Sequence, residues 1–357
     1  MSLHDSLKAL PKKEWKYYYD TLNIDFNTFD NNTAYNFIRG TYNIGSKDKM
    51  FDVGFEKSFM AHGKHEHTVV LYFLGCMFKK LIHNDLKKHL ASFITNVDNW
   101  FDFQYTWFLT SLYHDTASVL EQVNWTRNCP SDIEFYLGKY DVHYNLYEHR
   151  WDIPSMKPYT YSEMLVRNYF KYRAEYCHKI DHGIIAGYIL YDRLVKNYDE
   201  AWAECSKTNP NKSYDDFTYK GLSWRKEHIS HFAIIADSII AHNMWRSENS
   251  DHEKSVYRDY GLDQLIFNIE NRVTISNNPL VFFLGLFDTI EPFKRFNKLD
   301  CLKEVDIHLD SKGNLKISVH DLDNYAKWLD SITDIHDWLS VKVVRPNDNE
   351  INISLIR

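Results

Sequence analysis

"WFLTSLYHDTAS", residues 107–118, is an apolar segment that ends in an adjacent histidine and aspartate, His114 and Asp115. The apolar residues before this pair recur at the three- and four-residue spacing of a helix with one buried face. Imidazole and carboxylate are also common metal ligands. Since a turn after a core helix would explain the pair by itself, its meaning depends on the rest of the chain.

Composition indicates a globular protein. The chain has 357 residues, of which 44% are hydrophobic and 25% charged, so it has enough apolar material for a sizeable core. The formal net charge is −7 and no run of five or more Lys or Arg is present, which leaves no strong nucleic-acid signal. The five cysteines form no Cys-x-x-Cys pair, so reduced thiols are expected.

No membrane segment or signal peptide is predicted. The longest apolar run, "VVLYFLGCMF" at 69–78, is about half as long as a membrane span. The first fifteen residues lack the apolar core of a secretory signal. We therefore expect a cytoplasmic protein that does not contact a membrane.

Helical periodicity dominates the region 61–297, which we predict to be one helical domain. Apolar residues in its first helix recur at helical spacing: Val70, Leu71, Leu74, Phe78 and Leu81. Similar stripes predict helices in 104–114, 162–177, 183–195, 228–245 and 279–291. Two connections, 119–160 and 197–226, are predicted as long loops whose aromatic residues either stack a nucleobase or, more simply, anchor the loops by packing.

The two ends of the chain differ from this helical body. Residues 1–60 are predicted to be an N-terminal extension that packs on the core. The segment "EVDIHLDSKGNLKISVHDL", residues 304–322, alternates apolar and polar residues on both sides of a turn, which predicts a β-hairpin. With a following helix and two more strands, residues 298–357 form a small ββαββ module. The fold class is therefore mainly α with a small C-terminal α+β module, whose strand edges are suited to pairing with a second copy in a homo-oligomer.

Histidines lie on the apolar faces of three predicted helices. His67 shares the buried face of the first helix, and His182 precedes an apolar stripe, with Asp181 suited to the helix N-terminus. His231 and His242 share another stripe, but their separation of about 16 Å along the axis prevents them from binding one metal ion. Each histidine alone is explained by a hydrogen bond in the core.

Asp288 lies in the apolar segment "NPLVFFLGLFDTIEPFKRF", residues 278–296, where an unpaired carboxylate would cost several kcal/mol. Pairing with Arg295 is one explanation. A second explanation is a positive charge that several buried side chains share. Five helical segments have polar, ligand-type residues on their buried faces, and burying each of these without a compensating charge costs free energy. A metal centre would satisfy all of them.

The order of these residues resembles the HD superfamily of metal-dependent phosphohydrolases, which is named after an adjacent His-Asp pair. The resemblance covers about residues 65–296. It implies that one metal ion is held by His67, His114, Asp115 and Asp288, and that Asp115 bridges to a second ion held by His182 and His242. His231 would then lie deeper or at the pocket wall. Acids such as Glu291 or Asp181 would orient the ligand imidazoles.

The implied chemistry is hydrolysis of a small phosphoester, such as a nucleotide or cyclic nucleotide, by hydroxide activated between two divalent ions. The ligand set suits Mn, Fe, Co, Ni, Zn and, less well, Mg. Two alternatives stay open, namely a di-iron oxygenase like the inositol oxygenases and a regulatory HD protein that binds a nucleotide without turnover.

One departure concerns phosphate binding. Many HD phosphohydrolases follow the His-Asp pair with a glycine and a lysine, whereas this chain continues with Thr116, Ala117 and Ser118. Phosphate contacts must then come from elsewhere. We assign a catalytic role to Asp115 and His114, and to Lys179 as the nearest basic residue, followed by Arg127 and Arg173.

Overall fold

The computed structural model describes residues 1–10, 64–122, 130–153, 158–247, 251–296 and 300–356. Within these ranges the chain is mainly α, as predicted. The α-helices are α1 (Leu3–Lys8), α2 (Lys64–Phe78), α3 (His83–Ala91), α4 (Phe103–Tyr113), α5 (Val119–Gln122), α6 (Ile133–Lys139), α7 (Glu163–Glu175), α8 (His182–Thr208), α9 (Glu227–Ala241), α10 (Asp251–Asp259), α11 (Pro279–Ile290), α12 (Phe293–Phe296), α13 (Cys301–Glu304) and α14 (Leu322–Thr333). The strands are β1 (Asp216–Tyr219), β2 (Leu222–Arg225), β3 (Arg246–Ser247), β4 (Ile266–Phe267), β5 (Val305–Leu309), β6 (Leu315–Val319), β7 (Val341–Asn347) and β8 (Glu350–Leu355). Among the described helices, none has the length and apolar character needed to cross a membrane.

The chain divides into two compact units, each built from segments that are distant in sequence. Unit 1 contains Met1–Leu86, Phe103–Leu112 and Met244–Arg357, and unit 2 contains Lys87–Asp102 and Tyr113–Asn243. The predicted domain boundaries at residues 60 and 297 stay predictions. Most of the predicted N-terminal extension, residues 11–60, lies outside the described ranges.

The core of unit 1 forms around α2, whose apolar stripe is buried as its periodicity predicts. Gly75 of α2 leaves room for the indole of Trp107 on α4, because a Cβ at this position would collide with that ring. The same indole donates from Nε1 to the carbonyl oxygen of Tyr72 (2.9 Å), and Phe283 of α11 packs edge-on against it. These contacts join α2, α4 and α11.

The C-terminal ββαββ module of unit 1 is confirmed. Its four strands form one antiparallel sheet in the order β5-β6-β8-β7. Ile307, Ile317 and Ile351 lie opposite one another in adjacent strands and are almost completely buried, together with Leu329 of the following helix α14. Gly313 adopts a left-handed conformation (φ +82°) in the β5–β6 turn, which explains the glycine in "SKGN".

Unit 2 is organised by the packing of α8 against α9. Gly183 and Gly187 face α9 so closely that a Cβ on either would lie 2.7 Å from a backbone carbonyl oxygen of that helix, Ile239 O or Ala236 O. This close approach brings the first turns of α8 next to the last turns of α9, which positions His182 near His242.

Both predicted long loops of unit 2 contain regular structure, so those predictions were wrong. The helix predicted over 183–195 continues to Thr208, and the hairpin β1–β2 follows it. The connection 119–160 contains α5, α6 and a 3₁₀ helix, Leu146–Glu148. The helix α6 buries Ile133, Tyr136 and Leu137, and the last part of α8 buries Tyr198, Ala201 and Cys205, so each segment has a buried helical face.

The aromatic residues of these segments are mainly packing anchors. Tyr198 and Phe217 form a small buried cluster in which Trp202 and Trp224 also pack. In the other segment Tyr147 is buried against Tyr159. The simpler of the two predicted roles therefore accounts for the aromatic residues in these contacts.

Candidate metal centre

His114 and Asp115 follow the end of α4, where the chain leaves the helix. Adjacent residues in a continuing helix point about 100° apart. Here the backbone turns instead, with Thr116 N donating to Tyr113 O (3.2 Å) and Ser118 N donating to Asp115 O (2.9 Å). As a result His114 and Asp115 are both completely buried.

His182 is the first residue of α8 because Asp181 caps this helix, as predicted. The Asp181 side chain accepts a hydrogen bond from Ile184 N (3.0 Å), which satisfies one of the free amides of the first turn. His182 is thereby held at the helix start with 8% of its surface exposed. His242, in contrast, lies at the C-terminal end of its helix, as the C-cap of α9.

Three of the predicted ligands of unit 2 come together. Asp115, His182 and His242 each offer one ligand atom, and these atoms lie within 4.8 Å of one another. Asp115 Oδ1 is 2.9 Å from His182 Nε2, and Asp115 Oδ2 is 3.7 Å from Nε2 of His114. The His242 ring lies 5.3 Å from the His182 ring and 5.4 Å from the His114 ring, measured between centroids. Asp115 thus has one oxygen directed toward each of two histidines.

The imidazoles of this group are held in place through their second nitrogens. His242 Nδ1 lies 2.6 Å from Ile239 O, and a backbone carbonyl can only accept, so Nδ1 carries the proton and Nε2 keeps the lone pair. His182 Nδ1 lies 3.2 Å from Glu121 Oε1 on α5. The other ring nitrogen of His182, Nε2, lies 3.2 Å from Asn243 Nδ2.

The charges of the group favour a cation. Burial lowers the pKa of His182, but the nearby carboxylates of Asp115 and Glu121 outweigh it and raise the pKa to about 10. In unit 1, burial likewise lowers the pKa of His67, and the carboxylates of Asp288 and Glu291 reverse this effect and raise it. Both imidazoles therefore lie in surroundings that stabilise positive charge.

His67 of α2 and Asp288 of α11 form a second group, within unit 1. His67 Nε2 lies 3.0 Å from Asp288 Oδ1, and His67 Nδ1 lies 2.6 Å from Glu291 Oε2. Glu291 is completely buried and also accepts from the backbone amides of Phe293 and Lys294. Its position beside the His67 ring matches the orienting role expected for it.

Asp288 pairs with Lys294, which sequence reasoning missed. Lys294 Nζ is 2.5 Å from Asp288 Oδ2, whereas the sequence suggested Arg295 as the partner. The chain leaves the helix at Glu291, before Pro292, so the spacing of a continuous helix no longer applies. This cation lies beside a predicted metal ligand.

The remaining predicted residues have separate positions. Lys179 is exposed in the turn before α8. Arg173 donates to Glu121 Oε1 (2.6 Å), and Arg127 lies outside the described residues. His231 is buried against Trp100, with ring centroids 4.9 Å apart, and burial lowers its pKa to about 3.

Glu121 is the second residue that sequence reasoning missed. It follows Asp115 by six residues, and the turn at 114–118 rather than any helical spacing brings it to His182. Asp181, which was expected to orient an imidazole, instead caps α8. In unit 2, therefore, Glu121 is the acid that lies beside the second nitrogen of a predicted ligand, Nδ1 of His182.

The donor set of unit 2 fits a divalent metal ion. One carboxylate and two imidazoles, all buried, are the ligand types that Mn, Fe, Co, Ni and Zn accept. Each imidazole has an oxygen near its Nδ1, the Ile239 carbonyl at 2.6 Å from His242 or the Glu121 carboxylate at 3.2 Å from His182. Comparisons with protein-family models, with curated proteins and with solved structures gave no match for this chain. The structure therefore shows a buried His/Asp group that could hold a metal ion.

Proposed function

We propose that the protein is a metal-dependent hydrolase of small phosphoric esters, of the HD type that its sequence resembles. One observation supports this proposal above the others. Asp115 lies with one oxygen toward His114 and the other toward His182, while the His242 ring lies next to both histidines. A carboxylate in this position is suited to contact two ions.

In the proposed mechanism Asp115, His182 and His242 hold an ion in unit 2. When bound, the ion would supply Lewis-acid chemistry for the attack of water on a phosphoryl group. The protein orients its ligands, since the Ile239 carbonyl and the Glu121 carboxylate each hold an imidazole through Nδ1. Burial of these side chains limits competition from bulk water and strengthens their electrostatic effect on a substrate.

The second ion of the proposal rests on the sequence pattern. It assigns His67 and Asp288 to the same ion as His114 and Asp115. Within unit 1, Glu291 holds Nδ1 of His67 so that Nε2 faces Asp288, which is the orientation a ligand imidazole needs. We therefore propose that six side chains of the protein hold two divalent ions.

Positive side chains would neutralise the phosphoryl group of the substrate. Lys179 keeps the role that the sequence assigns to it, and its exposed position leaves its side chain able to reach a ligand in solution. Lys294 is a second candidate because its ammonium group is already held at Asp288. The proposed substrate class is a small phosphoester, such as a nucleotide or a cyclic nucleotide.

A hydrolysis screen tests the proposal. Wild-type protein is incubated with p-nitrophenyl phosphate, bis(p-nitrophenyl) phosphate, nucleoside mono- and triphosphates and cyclic nucleotides, each with Mn²⁺, Co²⁺, Ni²⁺, Zn²⁺ or Mg²⁺. We expect Asp115→Ala to lower the rate by at least about 100-fold, since loss of an outer partner of a metal ligand alone costs 10- to 100-fold. Asp259→Ala, at an exposed position of unit 1, serves as the matched control.

Two results would contradict the proposal. The first is phosphatase activity that Asp115→Ala leaves unchanged, because the chemistry would then lie elsewhere or belong to a contaminant. The second is a mixed-valent di-iron signal with substrate-dependent oxygen uptake and no hydrolysis, which would favour the oxygenase alternative.

A further inference from the structure

Glu121 occupies a position from which it can control His182. It lies on the short helix α5, and its Oε1 is 3.2 Å from Nδ1 of the imidazole. The opposite nitrogen of the same ring faces Asp115 Oδ1 at 2.9 Å. A ring held between two carboxylates in this way has little freedom to rotate or to exchange its nitrogens.

Arg173 holds the Glu121 carboxylate in turn. Its Nη2 is 2.6 Å from Glu121 Oε1, and its Nε is 3.9 Å from Oδ2 of Asp181, the residue that caps α8. The guanidinium therefore links α7 to both the start of α8 and the end of α5. The side chains of Arg173 and Glu121 are only 22% and 27% exposed, which limits the number of rotamers open to them.

We infer that Glu121 is a positioning residue for the metal ligand His182, and that Arg173 fixes Glu121 for this task. Glu121 Oε1, 3.2 Å from Nδ1, is placed to accept the Nδ1 proton, which would leave Nε2, on the Asp115 side of the ring, to ligate the ion. Asp181 instead caps α8, with Oδ1 accepting from Ile184 N and Oδ2 3.9 Å from Arg173 Nε. The sequence suggested Glu291 or Asp181 as orienting acids and did not select Glu121.

The inference rests on the proposed function only in requiring that unit 2 binds a divalent ion. A merely structural ion pair between α5 and α7 would change stability and leave metal affinity alone. A positioning residue changes the affinity, and it gives the His182 Nδ1 proton a strong hydrogen bond that is visible by NMR.

The test uses full-length protein stripped of metal and titrated with Zn²⁺ and Mn²⁺ in competition with a chromophoric chelator. We expect Glu121→Ala to weaken binding of the unit 2 ion by about 10- to 100-fold and Glu121→Gln to weaken it less, because an amide oxygen still accepts the Nδ1 proton. Arg173→Gln should give a smaller loss than Glu121→Ala. Glu200→Gln, which removes an exposed acid from the middle of α8, is the matched control.

A second readout is the low-field N–H proton of His182 in the Zn²⁺-loaded protein, assigned by its loss in His182→Gln. This signal should be present in the wild type and in Glu200→Gln, and absent in Glu121→Ala. Circular dichroism establishes that each variant is folded, and Glu121→Leu, which also lacks an acceptor for Nδ1, replaces Glu121→Ala if the latter does not fold.

The outcomes separate the inference from the proposed function. If wild-type protein binds neither ion, both fail. If it binds an ion and Glu121→Ala binds it within about twofold of the wild type, with the N–H signal retained, the positioning role is overturned while the metal site stands.

Discussion

Asp237 makes the stability of unit 2 depend on pH. It lies on α9 with 5% of its surface exposed, and its Oδ2 accepts from Thr160 N (3.0 Å) and Thr160 Oγ1 (2.7 Å). Burial raises the pKa of Asp237, the two Thr160 donors lower it in part, and the balance places it at about 7. The folded protein therefore keeps a proton on Asp237 to a higher pH than the unfolded chain does.

The sign of the effect follows from this difference. Between the unfolded pKa of about 4 and the folded pKa, only the folded state binds the proton, so the free energy of unfolding falls as pH rises. Each pH unit corresponds to about 1.4 kcal/mol where only the folded state is protonated, and because Asp237 is half deprotonated at pH 7 the step from pH 5 to pH 7 amounts to about 2.3 kcal/mol. The contribution is fully present below about pH 4 and is lost above pH 7.

Asp237→Asn removes this titration and keeps an oxygen that can accept both Thr160 bonds. We expect the free energy of unfolding of the variant, relative to that of the wild type, to rise by about 2.3 kcal/mol between pH 5 and pH 7. The free energy of unfolding is measured by urea unfolding followed by tryptophan fluorescence at pH 5, 6, 7 and 8. Asp259→Asn, at an exposed position, is the control. A difference between variant and wild type that stays constant within about 0.5 kcal/mol would refute the reasoning.

Further predictions concern the helix contact and the metal group. Gly187→Ala should destabilise the protein by about 1–3 kcal/mol in thermal or urea unfolding, because the new methyl group would lie 2.7 Å from Ala236 O. Gly138→Ala, where the space is open, should be neutral or slightly stabilising, and equal effects of the two substitutions would contradict the close packing. Gly183→Ala should weaken Zn²⁺ binding beyond its effect on stability, because its Cβ would lie 2.8 Å from the His242 ring; unchanged affinity in a chelator competition would argue against it. Zn²⁺ or Mn²⁺ at 100 times its Kd should stabilise the folded protein by about 2.7 kcal/mol in calorimetry, and EDTA should reverse this gain. A melting temperature that changes with neither the metal nor EDTA would count against a bound ion.

Much of the fold follows from local pattern. The apolar stripe of α2 and the alternation in β5 and β6 were readable from sequence periods of 3.6 and two residues, although α2 is buried on every face from residue 67 to residue 76. The continuation of α8 to Thr208 was missed: beyond Val195 the helix buries only Tyr198, Ala201 and Cys205, which pack with Phe217 of the hairpin. Periodicity shows which face of a helix or strand is apolar, but it does not show which other element packs against that face.

The candidate site divides in the same way. His182 could be selected because a histidine on an apolar face stands out in the sequence, and the Asp181 cap was visible from its position before the stripe. His231 and His242 share one apolar stripe, and only the resemblance to the HD superfamily selected His242. Glu121 and Lys294 could not be selected. Each reaches its partner only after the chain leaves a helix, at the turn after α4 or before Pro292, and no periodic rule carries across such a break.

The sequence by itself determined which side chains are candidates, because the choice of a polar residue on a buried face is a local property. Tertiary structure alone decided that Asp115, His182 and His242 meet, since Gly183 and Gly187 let α8 and α9 approach closely enough for the ends of these helices to adjoin. It also decided which acid holds which imidazole: Glu121 lies at His182 in unit 2, and Glu291 lies at His67 in unit 1. Buried imidazoles and carboxylates need partners, and only the packed chain determines which partners are within hydrogen-bond distance.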